Sequence, residues 1–192
     1  KEKPHNAVAF IHGGQVKAKY IKHHLPNYGV FDEFRNFGQG EGTLVVRFKG
    51  VDIAVVICED IWQDQGPVAE LAGRKPGIVL VPNGSPYERN KDDVRLALVQ
   101  RRVKQIGAPM IYVNMTGAQD DLVFDGDSLA VGSDQKLLAR SVQFNRALDL
   151  VDVPVVLNSS KPDLVISEEA TPKKSAITAV IAPRLGDEEE VW

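Results

Sequence analysis

Cys58 is the one cysteine of the chain. It closes an apolar run, Val51-Asp52-Ile53-Ala54-Val55-Val56-Ile57-Cys58, that turns polar at once with Glu59-Asp60. A buried strand that ends on a thiol and then turns polar presents a nucleophile at the mouth of a pocket. With no second thiol, an intrachain disulfide is excluded. The competing role is a buried free cysteine that fills space as a small hydrophobe. A thiol near neutral pH is mostly protonated, so a nucleophilic Cys58 needs a base or a nearby cation. The four histidines, His5, His12, His23 and His24, lack the spacing that with Cys58 would make a zinc site. A cysteine–histidine pair stays open, but nothing local supports it.

A lysine is the other available helper. Lys22 opens the segment Lys22-His23-His24-Leu25-Pro26-Asn27-Tyr28-Gly29-Val30-Phe31-Asp32-Glu33, dense in Pro, Gly and aromatics. Loops of this kind line pockets. A lysine here would depress the thiol pKa and stabilise an oxyanion; the plain alternative is a solvated surface lysine.

The elements that must position these groups are mostly strands. Asn6–His12 and Gln15–Ile21 flank Gly13-Gly14 and read as a hairpin, because Gly-Gly supplies the positive φ angles of a two-residue turn. Thr43–Phe48 and Val51–Cys58 flank Lys49-Gly50 as a second hairpin, and Ser128–Gly132 and Lys136–Ser141 flank Ser133-Asp134-Gln135 as a third. Gly77–Pro82 and Pro109–Asn114 read as further strands. Pro67–Leu71 reads as a short helix, with Gly73 just beyond its end. The clearest helix is Lys91–Ile106, capped by Asn90, with Asp92 and Asp93 at its positive end and Val94, Ala97, Leu98 and Ile106 on its apolar side. Arg101 and Arg102 are expected on its solvated face.

After about residue 150, Pro154, Pro162, Pro172 and Pro183 recur without periodicity. Residues 151–186 read as an extended, surface-wrapping linker. Asp187 followed by Glu190 resembles a capping box, so 187–192 read as the start of a helix in a further domain. Many strands with few helices argue an α+β or layered α/β architecture.

Composition narrows the partners. A net charge of −3 gives no reason to expect nucleic acid or an anionic membrane. No apolar run approaches the roughly 20 residues that span a bilayer. A single cysteine fits a reducing cytoplasm. The first residue is Lys1 rather than Met, and a strand begins almost directly, so a piece of a longer protein is expected.

Three stretches together carry a resemblance: Lys22-x-x-Leu25-Pro26-Asn27-Tyr28 with Phe31-Asp32-Glu33, Cys58-Glu59-Asp60-Ile61-Trp62, and Asn83-x-Ser85-Pro86-Tyr87. They are similar to the nitrilase (carbon–nitrogen hydrolase) superfamily and, more narrowly, to the glutaminase domains of glutamine-dependent NAD synthetases. Tyr112-Val113-Asn114-Met115, Gln119-Asp120 and Phe124-Asp125-Gly126-Asp127-Ser128 extend the match, which runs from about residue 6 to residue 150. The resemblance implies an α/β fold, a nitrilase-like α-β-β-α sandwich incomplete at its N-terminus. Residues 1–150 would be the C-terminal part of a glutaminase domain, and 187–192 the entry to a synthetase domain.

What the resemblance implies chemically is a Glu–Lys–Cys triad. Cys58 matches the nucleophile that attacks the carboxamide of L-glutamine, and Lys22 the lysine that stabilises the tetrahedral intermediate. The Glu59 N–H would complete the oxyanion hole. Tyr28, Phe31, Glu59 and Ser85 fall where the family binds glutamine. No metal and no cofactor are expected in this part; ATP and magnesium belong to the synthetase domain, which would amidate nicotinic acid adenine dinucleotide. Nitrilase-like domains pair, so a homo-oligomer is expected. One departure stands out: the family's general-base glutamate falls on a segment preceding the region that begins at Lys1. Glu33 and Glu59 are carboxylates near the pair, but neither matches that base. A freestanding nitrilase-type amidase and a non-catalytic assembly module with an inert Cys58 remain the alternatives.

The other polar clusters have simpler readings. His12-Gly13-Gly14 is a hairpin turn before it is a phosphate site, because no helix start follows it; Glu188–Glu190 is a solvated helix start rather than a metal site; and Phe124–Ser128 fits a border of the pocket and a turn into the next strand equally well. Neighbouring His23 and His24 would face opposite ways on a strand.

Overall fold

A computed structural model describes residues 3–89, 91–168 and 177–191. The Asn90 cap, the Asp92 side chain, Pro172 and Trp192 lie outside the described residues. Two glycine-turned hairpins form as the sequence suggests. β1 (Ala7–His12) and β2 (Gln15–Ile21) pair antiparallel, with Ala7 opposite Ile21. Gly13 and Gly14 have φ of 58° and 72°, the two left-handed positions that a type I′ turn requires. A one-turn helix that the sequence reading did not anticipate, α1 (Glu33–Asn36), comes next. β3 (Val45–Phe48) and β4 (Val51–Val55) make the second hairpin, again with both turn residues at positive φ.

β4 stops earlier than its apolar run. The strand ends at Val55, and Cys58, at φ 46°, opens a 3-10 turn over Cys58–Ile61. Val56 and Ile57 are apolar because they are buried as the chain leaves the sheet; an apolar run reports burial, not strand pairing.

α2 (Pro67–Arg74) begins on its proline and ends at Lys75 in the left-handed conformation, so Gly73 lies inside the helix rather than beyond it. Then follow β5 (Ile78–Asn83), α3 (Lys91–Ile106) and β6 (Met110–Asn114). β7 (Thr116–Gln119) and β8 (Leu122–Asp125) form a hairpin the sequence reading left out. β9 (Leu129–Val131) and β10 (Leu137–Arg140) enclose the expected turn, where Gln135 takes φ 67°. A two-residue strand, β11 (Leu164–Val165), and a short helix, α4 (Asp187–Val191), complete the described elements.

Seven strands form one mixed sheet in the order β10-β9-β6-β5-β4-β3-β11. Its centre, β4-β5-β6, is parallel, with α2 and α3 as the crossovers, the βαβ arrangement that places helices on a sheet face. Val68, Leu71, Leu98, Val99 and Val103 of the helices pack with Ala54, Val79, Val81, Met110 and Tyr112 of the strands. The β1–β2 hairpin joins this core through Val8, Phe10 and Tyr20.

α3 buries a different face from the one its hydropathy suggests. Leu98 and Ile106 are buried, but Val94 is 52% exposed, and Arg95 and Arg102 turn inward. Arg102, expected in solvent, is 1% exposed: its Nε donates to the Ile61 carbonyl at 2.6 Å and its Nη2 to the Gln63 carbonyl at 3.0 Å. A guanidinium whose donors meet carbonyls is tolerated in a core, and these contacts fasten α3 to the turn that starts at Cys58.

The C-terminal third lies along both sides of the sheet. β11 pairs in parallel with β3. Nearby, the Asp52 carboxylate accepts from Arg47 Nε and the Ser160 N–H, both at 2.8 Å, and Asp163 pairs with Arg74 at 2.8 Å. At the far side, the Arg140 N–H donates to the Val180 carbonyl and the Ala182 N–H to the Arg140 carbonyl, both at 3.0 Å. No helix among the described residues is long and apolar enough to cross a membrane.

Candidate active site

The parallel strands aim their C-terminal ends at one rim of the sheet, where open α/β sheets hold ligands. Cys58 follows β4, Ser85 follows β5, and Asn114 is the last residue of β6. Lys22 enters from the end of β2. Its backbone N–H donates to the Asn6 carbonyl at 2.8 Å, and its carbonyl accepts from the Gly40 N–H at 2.9 Å.

Lys22 is not a surface lysine. It is 1% exposed, and its Nζ lies 2.6 Å from Glu33 Oε2 on α1. Both residues line a cavity of about 340 Å³ together with Phe31, Cys58 and Asn83. A second cavity, about 400 Å³, is lined by Tyr28, Phe31, Cys58, Glu59, Trp62 and Ser85, with Glu88, Arg89 and Lys91 also on its wall. Cys58 and Phe31 are shared by the two, so the thiol sits where they meet.

Asp60 joins the nucleophile to the lysine strand. Its fully buried carboxylate accepts from the Tyr20 hydroxyl at 2.8 Å, the Ile57 N–H at 2.9 Å and the His24 N–H at 2.8 Å. Burial, followed by the Asp60 charge and hydrogen bond, pushes the Tyr20 phenol far up, so it stays a donor. The carboxylate thus pins the turn at Cys58 to residues on either side of Lys22.

Burial is the largest influence on the Cys58 thiol and raises its pKa. The Lys22 ammonium and a backbone contact at Gly84 pull it down, Glu33 and Glu59 push it up, and the net shift is upward. The resting group is therefore a thiol, held beside a cation but in need of a proton acceptor.

The binding residues expected from the sequence gather on the larger cavity. Glu59, 6% exposed, accepts from the Tyr28 hydroxyl at 2.7 Å and from Gln63 Nε2 at 2.7 Å. Tyr28 is itself 58% exposed and meets Phe31 edge-on at 5.9 Å between ring centroids. Burial and the Glu59 bond raise the Tyr28 phenol pKa. Ser85 is buried; its N–H donates to Asn114 Oδ1 at 2.9 Å. A carboxylate, a phenol, a hydroxyl and an aromatic face beside a thiol can receive a small polar amide carrying an ammonium group.

The histidines stand apart from this chemistry, and none lines either cavity among the described residues. His23 and His24 lie beyond the end of β2, so strand alternation does not apply. Both are half-buried, with Nδ1 of His23 2.9 Å from the Gly40 carbonyl and Nε2 of His24 3.2 Å from that of Gln65. No group of three His, Cys, Asp or Glu side chains able to hold a metal occurs among the described residues. In Phe124–Ser128, Asp125 and Asp127 form buried ion pairs with Arg95 and Arg140, both at 2.6 Å. The sequence reading gave no role to Asp60, Arg95 or Asn114, and placed Glu33 only near the pair. Their signal was slight: each is a polar residue beside a recognisable motif, with nothing to mark it as buried.

The carbon–nitrogen hydrolase family matches residues 2–159. The chain is 38% identical over 157 residues to the glutamine-dependent NAD(+) synthetase of Aquifex aeolicus, covering 82% of this chain and 27% of that protein. It is 45% identical over 133 residues to the same-named enzyme of Xanthomonas campestris, covering 68% and 24%. The chain thus spans about a quarter of the length of these curated relatives. Among solved structures, the glutamine-dependent NAD+ synthetase of Acinetobacter baumannii, in complex with ADP, superposes with a TM-score of 0.72 at 39% identity, over 74% of this chain and 27% of that one. The E41Q mutant of a nitrilase-superfamily amidase from Nesterenkonia, showing acrylamide added to its active-site cysteine, gives a TM-score of 0.59 at 30% identity, over 67% of this chain and 49% of that one.

Proposed function

The chain belongs to the carbon–nitrogen hydrolase family, and from that premise we propose that it is the glutaminase portion of a glutamine-hydrolysing NAD synthetase. The carrying observation is the meeting of Cys58, the buried Lys22–Glu33 pair and the Tyr28–Glu59–Ser85 wall at one junction of two cavities. The similarity to NAD(+) synthetases, at 38% and 45% identity, supports glutamine over other amides.

In this reading the Cys58 thiol gives its proton to a carboxylate base, and the sulfur attacks the carboxamide carbon of glutamine. The carbonyl oxygen becomes an oxyanion facing Lys22 Nζ and the Glu59 N–H; one such donor is worth roughly 100- to 1000-fold in turnover. Collapse breaks the C–N bond, the proton goes to the leaving nitrogen, and ammonia departs from a Cys58 thioester. Water, relieved of a proton by the same base, then releases glutamate and restores the thiol. Glu59 takes the substrate ammonium, Tyr28 and Ser85 its polar groups, and Phe31 covers its aliphatic stem.

Glu33 is committed to Lys22, and Glu59 to Tyr28 and Gln63. We therefore assign the base to the family glutamate, on a segment preceding Lys1, with the smaller cavity as its approach. ATP and magnesium are assigned to a synthetase domain of the same polypeptide, with residues 151–186 as the linker and 187–192 as its entry. A homo-oligomer in the cytoplasm completes the reading.

The test is trapping by a glutamine-like diazoketone, read by mass spectrometry. A single adduct on Cys58, prevented by glutamine, is the expected result. Adducts that glutamine does not prevent but simple aliphatic amides do would favour a nitrilase-type amidase. A folded full-length protein, with the base-bearing segment present, that forms no adduct would overturn the catalytic reading and leave the assembly module.

A further inference from the structure

Beneath Ser85 lies a buried polar cluster that the hydrolysis as written does not use. Arg95, on α3, is fully buried. Its Nη1 donates to Asp125 Oδ2 at 2.6 Å, and its Nη2 to the backbone carbonyls of Ser85 at 3.0 Å and Pro86 at 3.1 Å. The amide of Asn114 forms a reciprocal pair with the Ser85 backbone: Oδ1 accepts its N–H at 2.9 Å, and Nδ2 donates to its carbonyl at 3.1 Å. The Asn114 N–H is in turn held by Ser128 Oγ at 2.9 Å. Both backbone polar groups of Ser85 are thus fixed by side chains from α3 and β6.

Stability alone does not account for this arrangement. A buried ion pair gains little over a well-packed apolar pair of similar volume. This one is also incompletely satisfied, since Arg95 Nε and Asp125 Oδ1 find no hydrogen-bond partner among the described residues. What the pair does supply is a fixed location for Ser85. That residue lines the larger cavity beside Cys58, and the neighbouring Gly84 has open space where a side chain would be, so no side chain at that position helps to hold the loop.

We infer that Arg95, braced by Asp125 and assisted by Asn114, is a positioning residue that holds Ser85 against the substrate and thereby sets affinity for it. The inference rests on the glutaminase reading of this site. The backbone just before Cys58 is held separately, through the Ile57 N–H on Asp60, so loosening the Ser85 loop weakens recognition first and reaches the thiol only through the Gly84 contact.

The experiment measures saturable trapping of Cys58 by the glutamine-like diazoketone in the full-length protein, base-bearing segment included, with iodoacetamide alkylation as a measure of thiol reactivity alone. Arg95→Lys keeps a charge for Asp125 but cannot span to both carbonyls. Losing the equivalent of one good hydrogen bond raises the half-saturating diazoketone concentration about tenfold, while iodoacetamide alkylation changes far less. Because Arg95 acts through Ser85, the Arg95→Lys/Ser85→Ala double variant should bind no more weakly than Ser85→Ala alone. An unchanged half-saturation, additive losses, or a parallel fall in iodoacetamide reactivity would each overturn the inference. If Arg95→Lys does not fold, Asn114→Ser, which strands no buried charge, carries the same expectation and the same overturning outcomes. A wild-type full-length protein, base-bearing segment included, that the diazoketone does not label, or that glutamine does not protect, would mark failure of the glutaminase reading itself and take this inference with it.

Discussion

Cys58 combines two features that pull in opposite directions: a left-handed backbone angle that thrusts the thiol out of the sheet, and surroundings that keep it protonated. Its raised pKa gives a pH dependence of known sign. The thiolate population, and with it the rate of iodoacetamide alkylation, should keep rising at a pH where an ordinary cysteine has levelled off. The same shift makes the folded state hold the proton more tightly than the unfolded one, so this group's contribution to stability is full below the unfolded thiol pKa and declines as pH rises through the folded value. Alkylation that levels off below the ordinary thiol range would contradict the burial-dominated account. Asp60 carries a second expectation. Asp60→Asn removes the charge that three donors share and turns an amide NH₂ towards at least one of them, which costs about 2 kcal/mol and slows trapping of Cys58; denaturant unfolding and trapping rates read the two effects. Cys58 and Lys22 were legible because a sole thiol and a motif announce themselves. Asp60, Arg95 and Arg102 were not, because a buried charge with partners has the same letter as a solvated one.

At the level of elements, the hairpins were readable wherever glycine supplied the turn, as at Gly13-Gly14 and Lys49-Gly50. The β7–β8 hairpin escaped notice because Thr116-Gly117-Ala118-Gln119 offers no apolar alternation, and its side chains are exposed or half-buried. Two glycines separate packing from propensity. A Cβ on Gly40 would stand 2.2 Å from the Ile21 carbonyl oxygen, backbone that cannot give way without moving the end of β2 and Lys22 with it. Gly40→Ala should therefore lose about 1–3 kcal/mol and slow Cys58 trapping as well. Gly73, inside α2, meets nothing within 4 Å, so Gly73→Ala should gain up to about 1 kcal/mol with trapping unaltered. Thermal unfolding of the two variants checks both signs.

For the whole molecule, the proposed division of labour makes a sharp demand. In a full-length enzyme, Cys58→Ala should abolish synthesis supported by glutamine and leave synthesis supported by free ammonia. Equal loss of both would mean that this portion does more than deliver nitrogen. The layered α/β character was legible from many strands, few helices and the family motifs. The path of the C-terminal third was not, since β11 is two residues long and its attachment runs through Asp52, Arg74 and Ser160, polar residues far apart in sequence.

That path has a consequence for behaviour in a crowded solution. The outermost strands of an open sheet are templates for any extended peptide that drifts past, and proteins rich in strands must blunt them. Here the chain does so with its own later residues: Leu164–Val165 lies along β3, and Val180–Ala182 hydrogen-bonds to Arg140 of β10. The described residues of the stretch that reads as mere connection therefore also occupy part of the backbone along β3 and β10, leaving fewer unpaired groups there for a neighbouring molecule to meet.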